Sequence, residues 1–94
     1  MADANLYTQI IAQIIKEQEH IIGPIALEQA QKVSGLKATS ISDVAISGNA
    51  KEVLESLVKQ YEKLFGQTSI EVCKEAVRDS KANVTKDDLP AILQ

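Results

Sequence analysis

Between positions 7 and 22 the chain places Tyr7, Ile10, Ile11, Ile14, Ile15, Ile21 and Ile22 at three- and four-residue steps. At 100° per residue these side chains fall on one stripe about 140° wide, the mark of an amphipathic helix. Gln13, Lys16, Glu17 and Glu19 fall outside the stripe. The spacing predicts a helix over 4–22, about 28 Å long at 1.5 Å per residue. Isoleucine is a mediocre helix former because its branched Cβ restricts the side chain, so packing must hold this helix. Such a stripe demands a second apolar surface to cover it.

Gly23-Pro24 closes the first helix. Glycine supplies a left-handed C-terminal residue, and proline breaks the hydrogen-bond ladder yet suits the first turn of a following helix. That second helix is expected over 24–34, with Ile25, Leu27, Ala30 and Val33 inward and Gly35 as its stop. Residues 36–48 are rich in Ser, Thr and β-branched side chains, with Val44 and Ile46 alternating with small residues. They read as an ordered connection with room for one short strand or a small hairpin, although no partner for a lone strand stands out.

Asn49-Ala50-Lys51-Glu52 reads as a capping box with Asn in the leading place. A second clean stripe follows: Val53, Leu54, Leu57, Val58, Tyr61, Leu64 and Phe65, stopped by Gly66. Thr68-Ser69-Ile70-Glu71 is a capping box of standard type and predicts a fourth helix over 69–80. Its inward candidates are Ile70, Cys73, Ala76 and Val77. Residues 83–85 are expected to break it. Asp87 or Asp88 would then cap a last short turn, with Pro90 in its first turn.

The two halves superpose at an offset of 43 residues. Ile10, Ile11, Ile14, Ile15, Ile21 and Ile22 then fall on Val53, Leu54, Leu57, Val58, Leu64 and Phe65, and Gly23 falls on Gly66. Leu27-Glu28 meets Ile70-Glu71, Ala30 meets Cys73, Lys16 meets Lys59 and Glu19 meets Glu62. Any two amphipathic helices align once their stripes are matched. That freedom does not force the glycine and the apolar-Glu pair into the same register. An internal repeat of 4–34 and 47–80 is the resulting expectation. Two copies are too few for a solenoid.

The expected fold is therefore all-α. It is a small four-helix arrangement of two helical hairpins plus a short C-terminal turn, within one helical domain spanning 1–94. Ninety-four residues bury about 64% of their open-chain surface, enough for one modest core. With 45% hydrophobic and 24% charged residues the composition is that of an ordered globular chain.

The net charge of −3 disfavours nucleic acid and anionic membrane as partners. One cysteine excludes an internal disulfide and any multi-cysteine zinc site. No apolar run approaches a membrane span, and no basic leader precedes the first helix, so the chain reads as a cytoplasmic protein.

Candidate chemistry is sparse. His20 lies about 140° from the middle of the first stripe, where a surface histidine near a helix C-terminus is the expected role. Cys73 sits on the apolar face of its helix and reads as a small buried hydrophobe rather than a nucleophile. Asp79, Asp87 and Asp88 lack the spacing and glycine of a calcium loop, the four glycines form no phosphate cradle, and no nucleophile elbow surrounds a serine. A helix-turn-helix over 24–48 would present Thr39–Val44 as its recognition helix with only Lys37 nearby, too little positive charge for phosphate contacts.

Gln18 is the exception to this blandness. It occupies the centre of the first stripe, and its equivalent in the second is Tyr61. A polar tip in an apolar seam is costly unless paired, and it can set register or oligomeric state. Gln18 and Tyr61 would meet each other, meet counterparts across a dimer, or turn toward water.

The leading expectation is a non-enzymatic helical protein–protein interaction or regulatory adaptor module, with no cofactor and no metal. It is expected to self-associate as a homo-oligomer or to bind another protein through Ile10, Ile14, Gln18, Ile21, Leu57 and Tyr61. The alternative is a small-molecule sensor or carrier whose aliphatic pocket would expose Gln18, Tyr61 and Cys73.

Overall fold

The computed structural model describes residues 4–80 and 86–94. Four α-helices dominate: α1 (Ala4–Ile22), α2 (Ile25–Ala30), α3 (Ala50–Phe65) and α4 (Thr68–Asp79). Between α2 and α3 lies a two-stranded antiparallel sheet, β1 (Leu36–Ser40) and β2 (Asp43–Ile46). Two single 3₁₀ turns, Lys86–Asp88 and Ala91–Leu93, complete the described chain. The fold is thus mostly helical, roughly as expected, and the small hairpin for which 36–48 left room forms as a two-stranded sheet. The expected break over 83–85 lies outside the described residues.

The first stripe does what its spacing demands. Ile10, Ile11, Ile14 and Ile15 are fully buried. Each contributes about 1.5–3 kcal/mol by leaving water. α1 packs on α4, α2, α3 and β2, while α3 packs on α2 and α4. Val53, Leu54, Leu57, Val58 and Tyr61 of α3 face the same core cluster, as do Cys73 and Ala76 of α4.

The connection 36–48 finds its strand partner locally. Leu36 pairs with Ile46, Lys37 with Ala45 and Ala38 with Val44, and a bulge at Thr39 brings Ser40 opposite Asp43. An isolated two-stranded ribbon is marginal in water. Here β1 packs on α2 and β2 on α1, and Leu36 and Ala38 point into the core. The side-chain amide of Gln31 donates to the Ala38 carbonyl at 2.8 Å and covers the outer edge of β1. The same strands occupy Thr39–Val44, the segment a helix-turn-helix needs as its recognition helix.

Helix ends follow the sequence in part. Asn49 Oδ1 accepts the Glu52 N–H at 3.1 Å and caps α3. The Thr68 box does not form, which corrects the second capping expectation. Gln67 is already helical (φ −65°, ψ −24°), so Thr68 sits inside the first turn and makes no capping bond. α2 is shorter than expected. After Ala30 the chain turns to bury Val33 and Leu36, and Ile25 ends up outside while Ala26 takes the inward place. Pro90 is extended (φ −63°, ψ 156°) and precedes the last turn instead of lying in it. Asp87 and Asp88 form part of the preceding turn rather than capping the last one. Their carbonyls accept Lys51 Nζ at 2.9 Å and the Tyr7 hydroxyl at 2.7 Å.

Hydrogen bonds at the two corners repeat at the 43-residue offset. Gly23 N–H donates to the Glu19 carbonyl at 2.9 Å, and Gly66 N–H to Glu62 at 2.8 Å. Ala26 donates to Gly23 at 3.0 Å, and Ser69 to Gly66 at 3.1 Å. Leu27 donates to Pro24 at 3.2 Å, and Ile70 to Gln67 at 3.0 Å. Both glycines take positive φ, 75° and 81°.

Two buried side-chain bonds cross between the halves, and they are reciprocal. Gln18 Nε2 donates to the Ser69 carbonyl at 3.1 Å. Its equivalent, the Tyr61 hydroxyl, donates to the carbonyl of Ala26, the equivalent of Ser69, at 2.6 Å. When residue i meets j and the equivalent of i meets the equivalent of j in return, the contact is of isologous type.

Gly35 is the turn that leads from α2 into the ribbon. Its φ is +84°, and a Cβ there would lie 2.7 Å from the Ser47 carbonyl oxygen and 3.0 Å from Val53 Cγ2. At Gly23 a Cβ would meet nothing within 4 Å. Gly23→Ala is expected to cost about 1–2 kcal/mol, the strain of a left-handed L-residue alone. Gly35→Ala is expected to cost distinctly more in denaturant unfolding, and equal costs would contradict the close approach.

Candidate functional site

The apolar stripes of α1 and α3 extend one turn further than their cover. On a helical projection Ile21 and Ile22 lie on the stripe of α1, and Leu64 and Phe65 on that of α3. Yet Ile21 is 63% exposed, Leu64 47% and Phe65 38%. Ile25, just past the first corner, is 45% exposed. These four are the exposed large hydrophobics among the described residues, and all flank the two glycine corners. The cause is local. Gly23 and Gly66 turn the chain away immediately after the last apolar pair, and Ile21, Leu64 and Phe65 stay exposed while Ile22 packs on the core.

The corners lie side by side. Ile21, Ile22 and Phe65 line one cleft of about 110 Å³ together with Thr68, Ser69 and Val72. Directly before each apolar pair stand one acid and one base, Glu19-His20 and Glu62-Lys63. His20, Glu62 and Lys63 are exposed.

Beneath the cleft lies a polar group of a different kind. Gln18 lines its floor but is only 1% exposed. Besides the Ser69 carbonyl, its amide meets Cys73 Sγ at 3.6 Å. Burial pushes the Cys73 thiol up to about 11, partly offset by the Gln18 hydrogen bond. Burial likewise raises the Tyr61 phenol far above its ordinary value, with smaller contributions from Cys73 and Glu19. Both groups are neutral at pH 7, so neither offers a thiolate nor a phenolate for chemistry. Among the described residues no buried side-chain nitrogen or oxygen lacks a partner.

The residues expected to form an interface separate cleanly. Ile10, Ile14, Gln18, Leu57 and Tyr61 are buried within the chain, where their stripes cover one another. Ile21 alone of the six reaches solvent. Stripe position cannot separate these cases, because it reports a side chain's direction and not what the neighbouring helix covers. Ile25, Leu64 and Phe65 were missed as surface residues for that reason. The available signal was the glycine directly after each apolar pair, which shortens the cover.

Of the three residues a ligand pocket would use, Gln18 lines the floor of the cleft described above. Tyr61 and Cys73 are fully buried, and a cleft of about 390 Å³ lies elsewhere, over the hairpin residues Gly35–Lys37 and Ala45–Ser47. Among the described residues no group of three His, Cys, Asp or Glu side chains is placed to hold a metal ion. None of the described helices is long and apolar enough to cross a membrane. No protein-family model matches the chain, and neither do the curated proteins or the solved structures compared with it.

Cys73 gives a direct reading of this interior. A thiol-specific reagent at pH 8 is expected to leave it unmodified in the native protein and to modify it fully in denaturant. Burial pushes the thiol from its ordinary 9.0 up to about 11 in the folded chain. Its contribution to stability is therefore complete below pH 9 and is lost as pH climbs toward 11. Over that window the denaturation midpoint of the parent protein is expected to fall more steeply than that of Cys73→Ala. Matching slopes would show the thiol to be solvated.

Proposed function

We propose that this chain is a non-enzymatic helical protein-interaction module, an adaptor-type domain that docks through the apolar corner formed by the ends of α1 and α3. One observation carries the reading: Ile21 at the end of α1 and Leu64 and Phe65 at the end of α3 stay exposed, and Ile21 and Phe65 line one cleft. Scattered single hydrophobics are ordinary on a surface, but a concentration at one locus marks a contact site. The rim supports a protein partner. It carries one acid and one base at each corner, which suits a polar rim around an apolar centre and gives no net attraction for a polyanion.

The two corners are best understood as copies of one unit, helix, glycine corner, helix, related by an approximate two-fold axis. The matching corner hydrogen bonds and the reciprocal Gln18 and Tyr61 contacts support this. Duplication of a corner duplicates its uncovered turn, which turns two small apolar spots into one larger face.

Isoleucine methyl NMR tests the adhesive face. Titration with a fluorescent naphthalene-sulfonate dye, a generic reporter of accessible apolar surface, is expected to shift Ile21 and Ile25 and to leave Ile10 and Ile14 unmoved. A dye that shifts no methyl of the corners would sink the proposal.

A further inference from the structure

We infer that the cleft between the end of α1 and the start of α4 receives one uncharged aliphatic residue of an extended peptide, whose side chain enters the cleft and whose main-chain amides bond to Gln18 and Ser69. This rests on the interaction reading above and states the chemistry of what docks.

The walls of the cleft are apolar, formed by Ile21, Ile22, Phe65 and Val72. The floor is not. Gln18 and Ser69 both line the cleft, and they are only 1% and 3% exposed. The Ser69 carbonyl can only accept, so the Gln18 amide turns its nitrogen toward it. Both hydrogen bonds of that side chain are made by Nε2. Among the described residues Gln18 Oε1 and Ser69 Oγ have no hydrogen-bond partner. Every described side-chain nitrogen or oxygen that is sealed from solvent does have one. These two atoms are therefore kept open, and the cleft is the opening their residues line.

Packing alone does not call for this pair. At the other corner the equivalents are Tyr61, whose hydroxyl is bonded to the Ala26 carbonyl, and Ala26, which has no hydroxyl. That corner closes without either open atom. The corner at Gly66 instead keeps an acceptor and a hydroxyl at the foot of an apolar slot, where unpaired polar atoms are costly.

The pair selects its occupant. An amide matches it, with an N–H to donate to Gln18 Oε1 and a carbonyl to accept from Ser69 Oγ. The volume, about 110 Å³, is well below the ~300 Å³ at which small-molecule pockets begin, so the cleft takes one side chain and not a whole ligand. All its lining residues are neutral, so a charged side chain would lose water there with no opposite charge to meet it. An aliphatic residue on a peptide main chain satisfies all three conditions. This is the extended mode, in which main-chain hydrogen bonds give affinity and a side-chain pocket gives specificity.

Methyl NMR titration with N-acetyl-leucine N-methylamide, a single capped residue, tests the inference. The Ile22 and Val72 methyls are expected to shift and to saturate at about millimolar probe, the range open to so few atoms. The capped glycine is expected to shift neither. Ser69→Ala copies Ala26 and removes a hydroxyl with no partner in the described chain. It is expected to weaken the leucine probe about threefold or more, with a denaturation midpoint no lower than the parent's.

A Ser69→Ala protein that binds the probe as tightly as its parent would overturn the inference, as would a capped glycine that binds as well as leucine. Isovaleramide, a free amide with the leucine side chain, would overturn the peptide as occupant by binding more tightly than the capped residue. No response to the leucine probe, with Ile21 and Ile25 still responding to the dye, would overturn the inference and leave the interaction face standing. No response to either would remove both.

Discussion

The architecture depends on a reciprocal clasp. The Gln18 amide reaches the Ser69 carbonyl at the second corner, and the Tyr61 hydroxyl reaches the Ala26 carbonyl at the first. Apolar stripes are tolerant of sliding, because one isoleucine replaces another with little loss. Buried polar tips are not tolerant. A shift of one helical turn would leave an amide and a phenol buried without partners, at about 1–3 kcal/mol each. Hydrophobic burial thus drives the two halves together, and the clasp decides the register in which they meet. Ion pairs add little. Lys59–Glu55 at 3.8 Å and Arg78–Glu75 at 4.0 Å are exposed neighbours on their own helices. Pairs of that kind contribute a few tenths of a kcal/mol.

The same clasp explains the face left bare. Gln18 and Tyr61 stand one turn before the glycine corners, and they anchor each long helix to the opposite corner at that level. In the turn beyond, Ile22 packs on the core while Ile21, Leu64 and Phe65 remain exposed. The closed interior and the open end are consequences of one geometry: the glycine that permits a tight corner also withdraws the next helix from the last apolar pair. An unmet pattern rule at a defined place is where function is expected to lie.

Much of this was legible in the residues. Stripe period located α1 and α3, and Gly23, Gly66 and Asn49 marked their ends. Gln18 stood out because it broke an apolar stripe, and its equivalence to Tyr61 followed from the offset. What remained hidden depended on tertiary context. β1 found its partner in β2 across two residues, because α1 and α2 back a ribbon whose strands alone carry weak signals. Thr68 matched a capping box, yet the corner at Gly66 started the helix one residue too early for it to cap. Pro90 and Ile25 were misplaced by the routes the chain takes to bury Leu93 and Ala26. The interface expectation grouped Ile10, which is buried, with Ile21, which is exposed, because cover is a property of neighbours.

Equilibrium unfolding of Tyr61→Phe beside Tyr7→Phe tests the clasp most directly. Each change removes one hydroxyl bonded to a backbone carbonyl, the first fully buried and central, the second part-buried and peripheral. The clasp predicts that Tyr61→Phe loses about 1 kcal/mol or more, distinctly more than Tyr7→Phe, within a single cooperative transition. A Tyr61→Phe protein as stable as its parent would contradict it.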